Sequence, residues 1–392
     1  MSEALAAAVP TAATAPPDGP AARPAISPGA ARRPVAGRLA LLLPGGVALL
    51  AGLDAALILL DLPAPVRLDR LPQVHGVLLV LGFVGTLVAL ERAVALRRPA
   101  GFLAPALLGL GGLLLITPLP LQLGQTVQVL GAAAFVGVYV ALWRRQRDDA
   151  VLVQALGAAL AGGAAILWLG GVPVPLLLPW LVGFVVLTIG GERLELARLA
   201  MGPGAGTTLV LLAAGLLGGI VAALLWPAAG TALLGTALLA LVGWLAAHDV
   251  ARRTIRARGL TRFMAGCMLA GYVWLGVAGA IWLVGGPATT GVRYDAVVHA
   301  VFLGFTISMI MAHAPVILPA VLRRPLPYTP ALVAPAVLLH GSLALRLWAG
   351  DALGHEAAWR WGGVLNIAAV VLFVALAVGS VLLAARRVGA PR

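Results

Sequence analysis

Residues 71–98 read LPQVHGVLLVLGFVGTLVALERAVALRR. Leu71 to Leu90 pass without a charged side chain, and Glu91, Arg92, Arg97 and Arg98 then follow within eight residues. A spanning α-helix needs about 20 apolar residues. The stretch therefore predicts a helix that crosses a bilayer and ends among arginines, with one histidine, His75, inside its apolar run.

The same pattern recurs along the chain. Of 392 residues 61% are hydrophobic and 10% charged, whereas a soluble domain carries about 25% charged residues to face water. The 27 basic residues are all arginine and give a net charge of +13. They fall between apolar segments, which reads as a topology signal and not as a nucleic-acid surface. The one cysteine, Cys267, lies inside an apolar run. Disulfides and thiolate metal sites within one chain are thereby excluded.

Cutting at arginines, Pro-Gly pairs and acidic clusters predicts twelve spans, near 39–60, 71–90, 101–117, 122–143, 151–169, 174–190, 207–226, 231–247, 263–284, 296–318, 331–348 and 361–383. Arg32-Arg33 precede the first, but no convincing cleavage site follows, so it reads as a helix and not as an export signal. The domain plan is a disordered, Ala- and Pro-rich cytoplasmic tail over 1–38, a twelve-helix membrane domain over 39–386, and a short cytoplasmic tail over 387–392.

Lys and Arg near helix ends mark the cytoplasmic side. With the N-terminus inside, twenty-two arginines fall on one side and only Arg67, Arg70, Arg293, Arg346 and Arg360 on the other. This predicts an inner-membrane protein with both ends in the cytoplasm. Trp168, Trp180, Trp226, Trp282, Trp348, Trp359 and Trp361 map to the outer ends, as an interfacial belt.

An internal repeat appears at a longer period. Gly82-Phe83, Gly183-Phe184 and Gly304-Phe305 are each followed, nine residues after the glycine, by Glu91-Arg92, Glu192-Arg193 and His313-Ala314. They lie in segments 2, 6 and 10. The expected architecture is an all-α polytopic bundle of three four-helix units in pseudo-threefold arrangement, unlike the inverted repeats of many transporters.

Ionisable side chains at membrane depth are costly and mark functional candidates. His75 and His299 open segments 2 and 10, each about 10–13 Å outward of the midplane at 1.5 Å per residue. Two imidazoles at one depth on neighbouring helices suit axial ligation of a haem iron; the alternative is hydrogen bonding across helices. Arg293 and Arg346 are candidate partners for haem propionates, against pairing with lipid phosphate or with Asp61, Asp69, Asp295 and Glu356. His340, in the middle of segment 11, is a candidate further metal ligand. His313 shares a helix face with His299 but lies about 21 Å deeper, beside Pro315 and Pro319, and reads as a partner for freed backbone groups. Asp54 reads as a relay carboxylate, a metal ligand or half of a buried pair. Glu91-Arg92 and Glu192-Arg193 read as snorkelling ion pairs, and His248 and His355 as interfacial. Tyr272, Tyr294 and Met309 read as packing.

The stretch His75 to Phe83, and His299-Ala300 with Gly304 five and Met309 ten residues on, resemble the histidine motifs of the NnrS-like haem-copper membrane proteins, distant relatives of subunit I of haem-copper oxidases. The resemblance implies haem, with copper as a second metal, a part in electron transfer or in nitric-oxide and nitrosative-stress handling, and His75 and His299 as haem ligands. The chain departs from the family at Val77, where the motif has a second histidine, and at Leu176 and Leu178, the segment 6 positions matching His75 and His299. It contains no His-His or His-x-His pair. The expected partners are the lipid bilayer and a diatomic gas or redox partner. Catalytic turnover is left unassigned. The rival reading is a secondary transporter or permease with an ion pathway through Asp54, His313 and His340; a third is an assembly factor for a respiratory complex.

Overall fold

Among the described residues of the computed structural model, 33–389, helices joined by short loops make up the chain and there is no strand. The expected tails fall largely outside them, at residues 1–32 and 390–392. Eleven helices are long and apolar enough to cross a membrane, and a twelfth apolar helix is shorter. In chain order they are α1 Arg33–Leu59, α2 Leu71–Leu96, α3 Pro99–Leu115 (the short one), α4 Leu121–Arg145, α5 Asp149–Leu169, α6 Val174–Met201, α7 Ala205–Leu225, α8 Pro227–His248, α9 Gly259–Gly285, α10 Gly291–Leu322 and α11 Pro330–Ala352, then α12 Glu356–Gly389.

Several helices outrun the apolar segments. α6 continues beyond Gly190 through Glu192, Arg193, Glu195 and Arg198, α10 runs through both Pro315 and Pro319, and α1 begins at Arg33, inside the stretch expected to be a tail. Charge ends an apolar run but not a helix; Glu and Arg are good helix formers.

The packing is three copies of one pattern. Within α1–α4, α5–α8 and α9–α12 the first helix packs on the second and third; α2 also packs on α4 and α6 on α8; and α4·α5, α8·α9 and α1·α12 contacts close the ring. The second helix of each unit is the central one. In their most apolar stretches α2, α6 and α10 are 67%, 72% and 67% buried, against 22–50% for the other eight long helices.

The Gly-Phe repeat has a steric cause. A Cβ on Gly82 would sit 3.3 Å from Ala48 of α1, one on Gly183 2.6 Å from Leu160 of α5, and one on Gly304 2.4 Å from Trp274 of α9. At each glycine the second helix of a unit closes on the first, and small residues are what permit such approach in lipid.

The tryptophans divide. Trp226, Trp348 and Trp361 are exposed, as a belt requires, whereas Trp168 and Trp282 are buried in the bundle. Trp180 packs on Gly163, and Trp359 serves the site below.

Candidate functional site

Both candidate histidines lie where their helices leave α geometry. α2 widens into π turns from Leu78 to Gly85 and α10 from Ala300 to Ile307, whereas α6, which has no histidine, stays α-helical. π turns inside α-helices are frequent at functional sites. Aligned on Gly-Phe, His75 matches Val297 and His299 matches Val77. The pair is therefore offset by two positions in the repeat.

His75 Nδ1 lies 2.9 Å from the Gly52 carbonyl of α1. Gly52 makes this contact available, because a Cβ there would meet Leu79 at 2.4 Å and push α2 away. His299 Nδ1 lies 2.8 Å from the Asp295 carbonyl one turn earlier, with the Asp295 carboxylate at 3.3 Å. A carbonyl only accepts, so each Nδ1 carries a proton, and in the neutral ring Nε2 keeps its lone pair. Neither Nε2 has a hydrogen-bond partner among the described residues. Both rings line one cavity of about 470 Å³, walled by residues of α1, α2, α6, α10, α11 and α12, among them Phe83, Phe302, Arg346 and Trp359. A histidine with one N–H on a carbonyl and the other nitrogen bare is arranged as metal ligands are.

Arg346 reaches the same cavity, but its guanidinium is engaged. Nε and Nη2 donate to the two Asp295 oxygens at 2.8 and 2.7 Å, and the group stacks over the Trp359 ring at 4.7 Å, while Trp359 Nε1 donates to Asp295 at 3.3 Å. The Asp295 pairing weighed in the sequence is thus the one formed. Through Asp295 the arginine holds His299, and a propionate would have to share it. Arg293 lies outside the cavity, exposed, and donates to the Gly285 carbonyl.

His340 is not brought to this cavity. The Trp274 indole N–H donates to its Nδ1 at 3.0 Å, which leaves Nε2–H to donate to Ser308 at 3.2 Å. With its one lone pair occupied it has none for a metal, and the ligand role expected for it is corrected to a bridge between α9, α10 and α11. Asp54 accepts from the Val66 backbone at 3.3 and 3.4 Å and so pins the loop after α1. His313 lines the two cavities at the arginine-rich end, whereas Asp54 and His340 line neither these nor the histidine cavity. Among the described residues, no three His, Cys, Asp or Glu side chains come together as a site for a bare metal ion.

At the opposite, arginine-rich end the three repeat-equivalent residues Glu91, Glu192 and His313 line the axis together. The arginine of one unit reaches the equivalent residue of the next: Arg92 lies 3.4 Å from Glu192, and Arg193 donates to His313 Nε2 at 3.0 Å. Ala314 ends the series. Arg193 also grips Asp249 through Nε and Nη2 at 2.8 and 2.9 Å, and the Asp249 carboxylate further accepts from the Tyr272 hydroxyl and the Ala251 amide. Burial alone would push the Asp249 carboxyl up; the hydrogen bonds and charge of Arg193 outweigh it and hold the group below the usual carboxylate range. These arginines do not snorkel, since Arg92 and Arg193 are 6% and 3% exposed. The Glu-Arg spacing carried the signal, and Arg92 does pair with its neighbour Glu91 at 2.9 Å; Arg193 pairs instead with Asp249, 56 residues away in sequence, which no local spacing shows.

Neither a curated protein nor a solved structure matches this chain. A family model described as "Domain of unknown function (DUF8744)" matches residues 38–382, nearly the whole of the twelve-helix bundle, and the chain belongs to that family.

Proposed function

We propose that this chain is a haem-binding membrane protein in which His75 and His299 hold the iron, acting in electron transfer or in nitric-oxide handling, and that its kinship is with the NnrS-like proteins. One observation carries the reading: two imidazoles from different helices line one cavity, each with Nδ1–H given to a backbone carbonyl and Nε2 bare. Held by His75 and His299, haem would supply one-electron redox chemistry or the binding of a diatomic gas.

The protein's own residues do the rest. Gly52 and Asp295 fix the tautomer of each ligand, and the buried Arg346–Asp295 pair fixes the orientation of His299. Phe83, Phe302, Leu303 and Val80 line the space with apolar surface and exclude water, which strengthens every electrostatic interaction inside. By the arginine rule the haem end faces outward and the arginine-rich end faces the cytoplasm, in a bacterial-type inner membrane.

The test is an absorption spectrum of protein purified from haem-replete cells. A Soret band is expected, lost in both His75→Ala and His299→Ala and kept in His355→Ala, whose side chain lies in an exposed loop. A wild-type protein without the band sinks the proposal.

A further inference from the structure

At the arginine-rich end three carboxyls converge on one guanidinium. Arg92 Nη2 lies 2.9 Å from Glu91 and 3.4 Å from Glu192, and Nη1 2.8 Å from Glu195. The side chains of Arg92, Glu192 and Glu91 are 7%, 12% and 22% exposed, and only Glu195, at 44%, reaches well into water. Fully ionised, the group carries three negative charges against one positive.

Among the described residues, Arg92 is the one cation paired with these carboxyls. On α6, Arg193 is neutralised by Asp249. On α10, His313 is neutral, because Nδ1 donates to the Met309 carbonyl and Nε2 accepts from Arg193. Arg38 of α1 donates to the Val321 carbonyl. Arg97, Arg98, Arg145 and Arg323 line the wide vestibule of about 1280 Å³ beside the group, where water screens them.

Around the carboxyls stand polar atoms with no partner. The Tyr139 hydroxyl of α4 is wholly buried within Coulombic reach of Glu91, Arg92, Glu192 and Glu195. Thr188, one turn before Glu192, is 1% exposed with its hydroxyl unbonded and lines the same cavity as Glu91 and Glu192. Gln154 of α5 donates to Glu195 at 3.2 Å and leaves its own carbonyl oxygen free. Buried polar groups of this kind ordinarily find a partner, and carboxylates that share one guanidinium at close range oppose each other's ionisation.

We propose that Glu91 and Glu192 form a proton-binding site, filled from the arginine-rich vestibule by way of Glu195, beside the unbonded hydroxyls of Tyr139 and Thr188. The step is a plain proton transfer: an O–H bond of hydronium in the vestibule breaks and one forms on a carboxylate oxygen. The site opens to one side. Beyond it lies a cavity of about 340 Å³ lined by Leu42, Leu49, Phe83, Phe184 and Phe373, and its other threonine, Thr306, gives its hydroxyl to the Val301 carbonyl of its own helix. Among the described residues, no chain of hydrogen-bonded side chains runs from there to His75 and His299.

Infrared difference spectra of the full chain in sealed vesicles, acid minus alkaline, test this with or without haem, so this inference and the haem reading fail separately. A protonated carboxylic C=O band is expected in the wild type. It should vanish in Glu91→Gln/Glu192→Gln, shift in frequency in Tyr139→Phe and Thr188→Ala, and stay unchanged in Glu356→Gln. It should follow the pH on the arginine-rich side alone. A wild type without the band, a band that survives the double variant, or a band that follows the opposite side overturns the proposal. Spectra of the single-hydroxyl variants guard against a double variant that does not fold.

Discussion

The two ends of the central column use the same three helices in opposite ways. At the arginine-rich end the His313 lone pair is taken by Arg193 and both Asp249 oxygens by Arg193 and its neighbours. At the arginine-poor end His75 and His299 are each bonded on one nitrogen only. Satisfied polar groups in a dry interior are structure; a polar group held by one edge, with the other edge on a cavity, is available for chemistry. The contrast predicts that the Arg193–Asp249–His313 cluster dominates stability and the arginine-poor end dominates cofactor binding.

The largest effect is expected at Arg193 and Asp249. Removing one member leaves the other charge buried and alone, a loss of about 3–5 kcal/mol. Arg193→Ala and Asp249→Ala should each lower thermal stability in detergent sharply, and Arg193→Met/Asp249→Leu should lose less than either. The pair also sets an acid limit. The Asp249 carboxyl titrates below its unfolded value of about 3.9. Its contribution is therefore complete above that pH and fades as pH falls through the lower folded value. Equal stability of single and double variants would break the contrast from this side.

Asp295→Asn comes next and bridges both ends of the argument. It leaves Arg346 without its anion in a site about one-fifth open, a loss of roughly 1–3 kcal/mol. It also frees His299 from its carboxylate, so the Soret band of the bound protein should weaken or shift. A lowered melting temperature with an unaltered spectrum would show that the pair serves packing alone.

A smaller effect tests the repeat itself. A Gly183→Leu side chain must displace Ile220 and Leu160, whose atoms lie 2.5 and 2.6 Å from the Cβ position, whereas Gly137 has nothing within 4 Å. Overpacking at the first should cost about 1–3 kcal/mol, and Gly137→Leu less than about 0.5 kcal/mol. Similar melting temperatures for the two would remove the steric account of the Gly-Phe pairs.

Those pairs also show what the sequence could reveal. The twelve segments were legible because lipid enforces long apolar runs and arginines bracket them; the threefold pattern was legible because glycines at close helix contacts cannot drift. Helix ends were not, as at α6, where Glu192 to Arg198 continue the helix beyond its apolar part. The site was half legible. Histidines at membrane depth are rare enough to notice, but the three carbonyl, indole and hydroxyl partners that separate His75 from His340 come from α1, α9 and α10, and no spacing along α2 or α11 encodes them. Asp295 was the exception, since its i,i+4 relation to His299 is a helical neighbour pair.

The smallest stability effect should accompany the largest spectral one. His75→Ala removes a single hydrogen bond, to the Gly52 carbonyl, and opens a cavity that is already there, so the cofactor-free protein should lose only about 0.5–1.5 kcal/mol. His340→Ala strips a partner from both Trp274 and Ser308 and should cost about as much or more, with the haem spectrum intact. The two variants therefore cross: His340→Ala at least as destabilised and spectrally normal, His75→Ala barely destabilised and without its Soret band. Absorption spectra and melting curves on the same samples read both axes. If the two variants behave alike on both, a bare Nε2 on a cavity carries no more meaning than a bonded one, and the distinction between the two ends of the column fails.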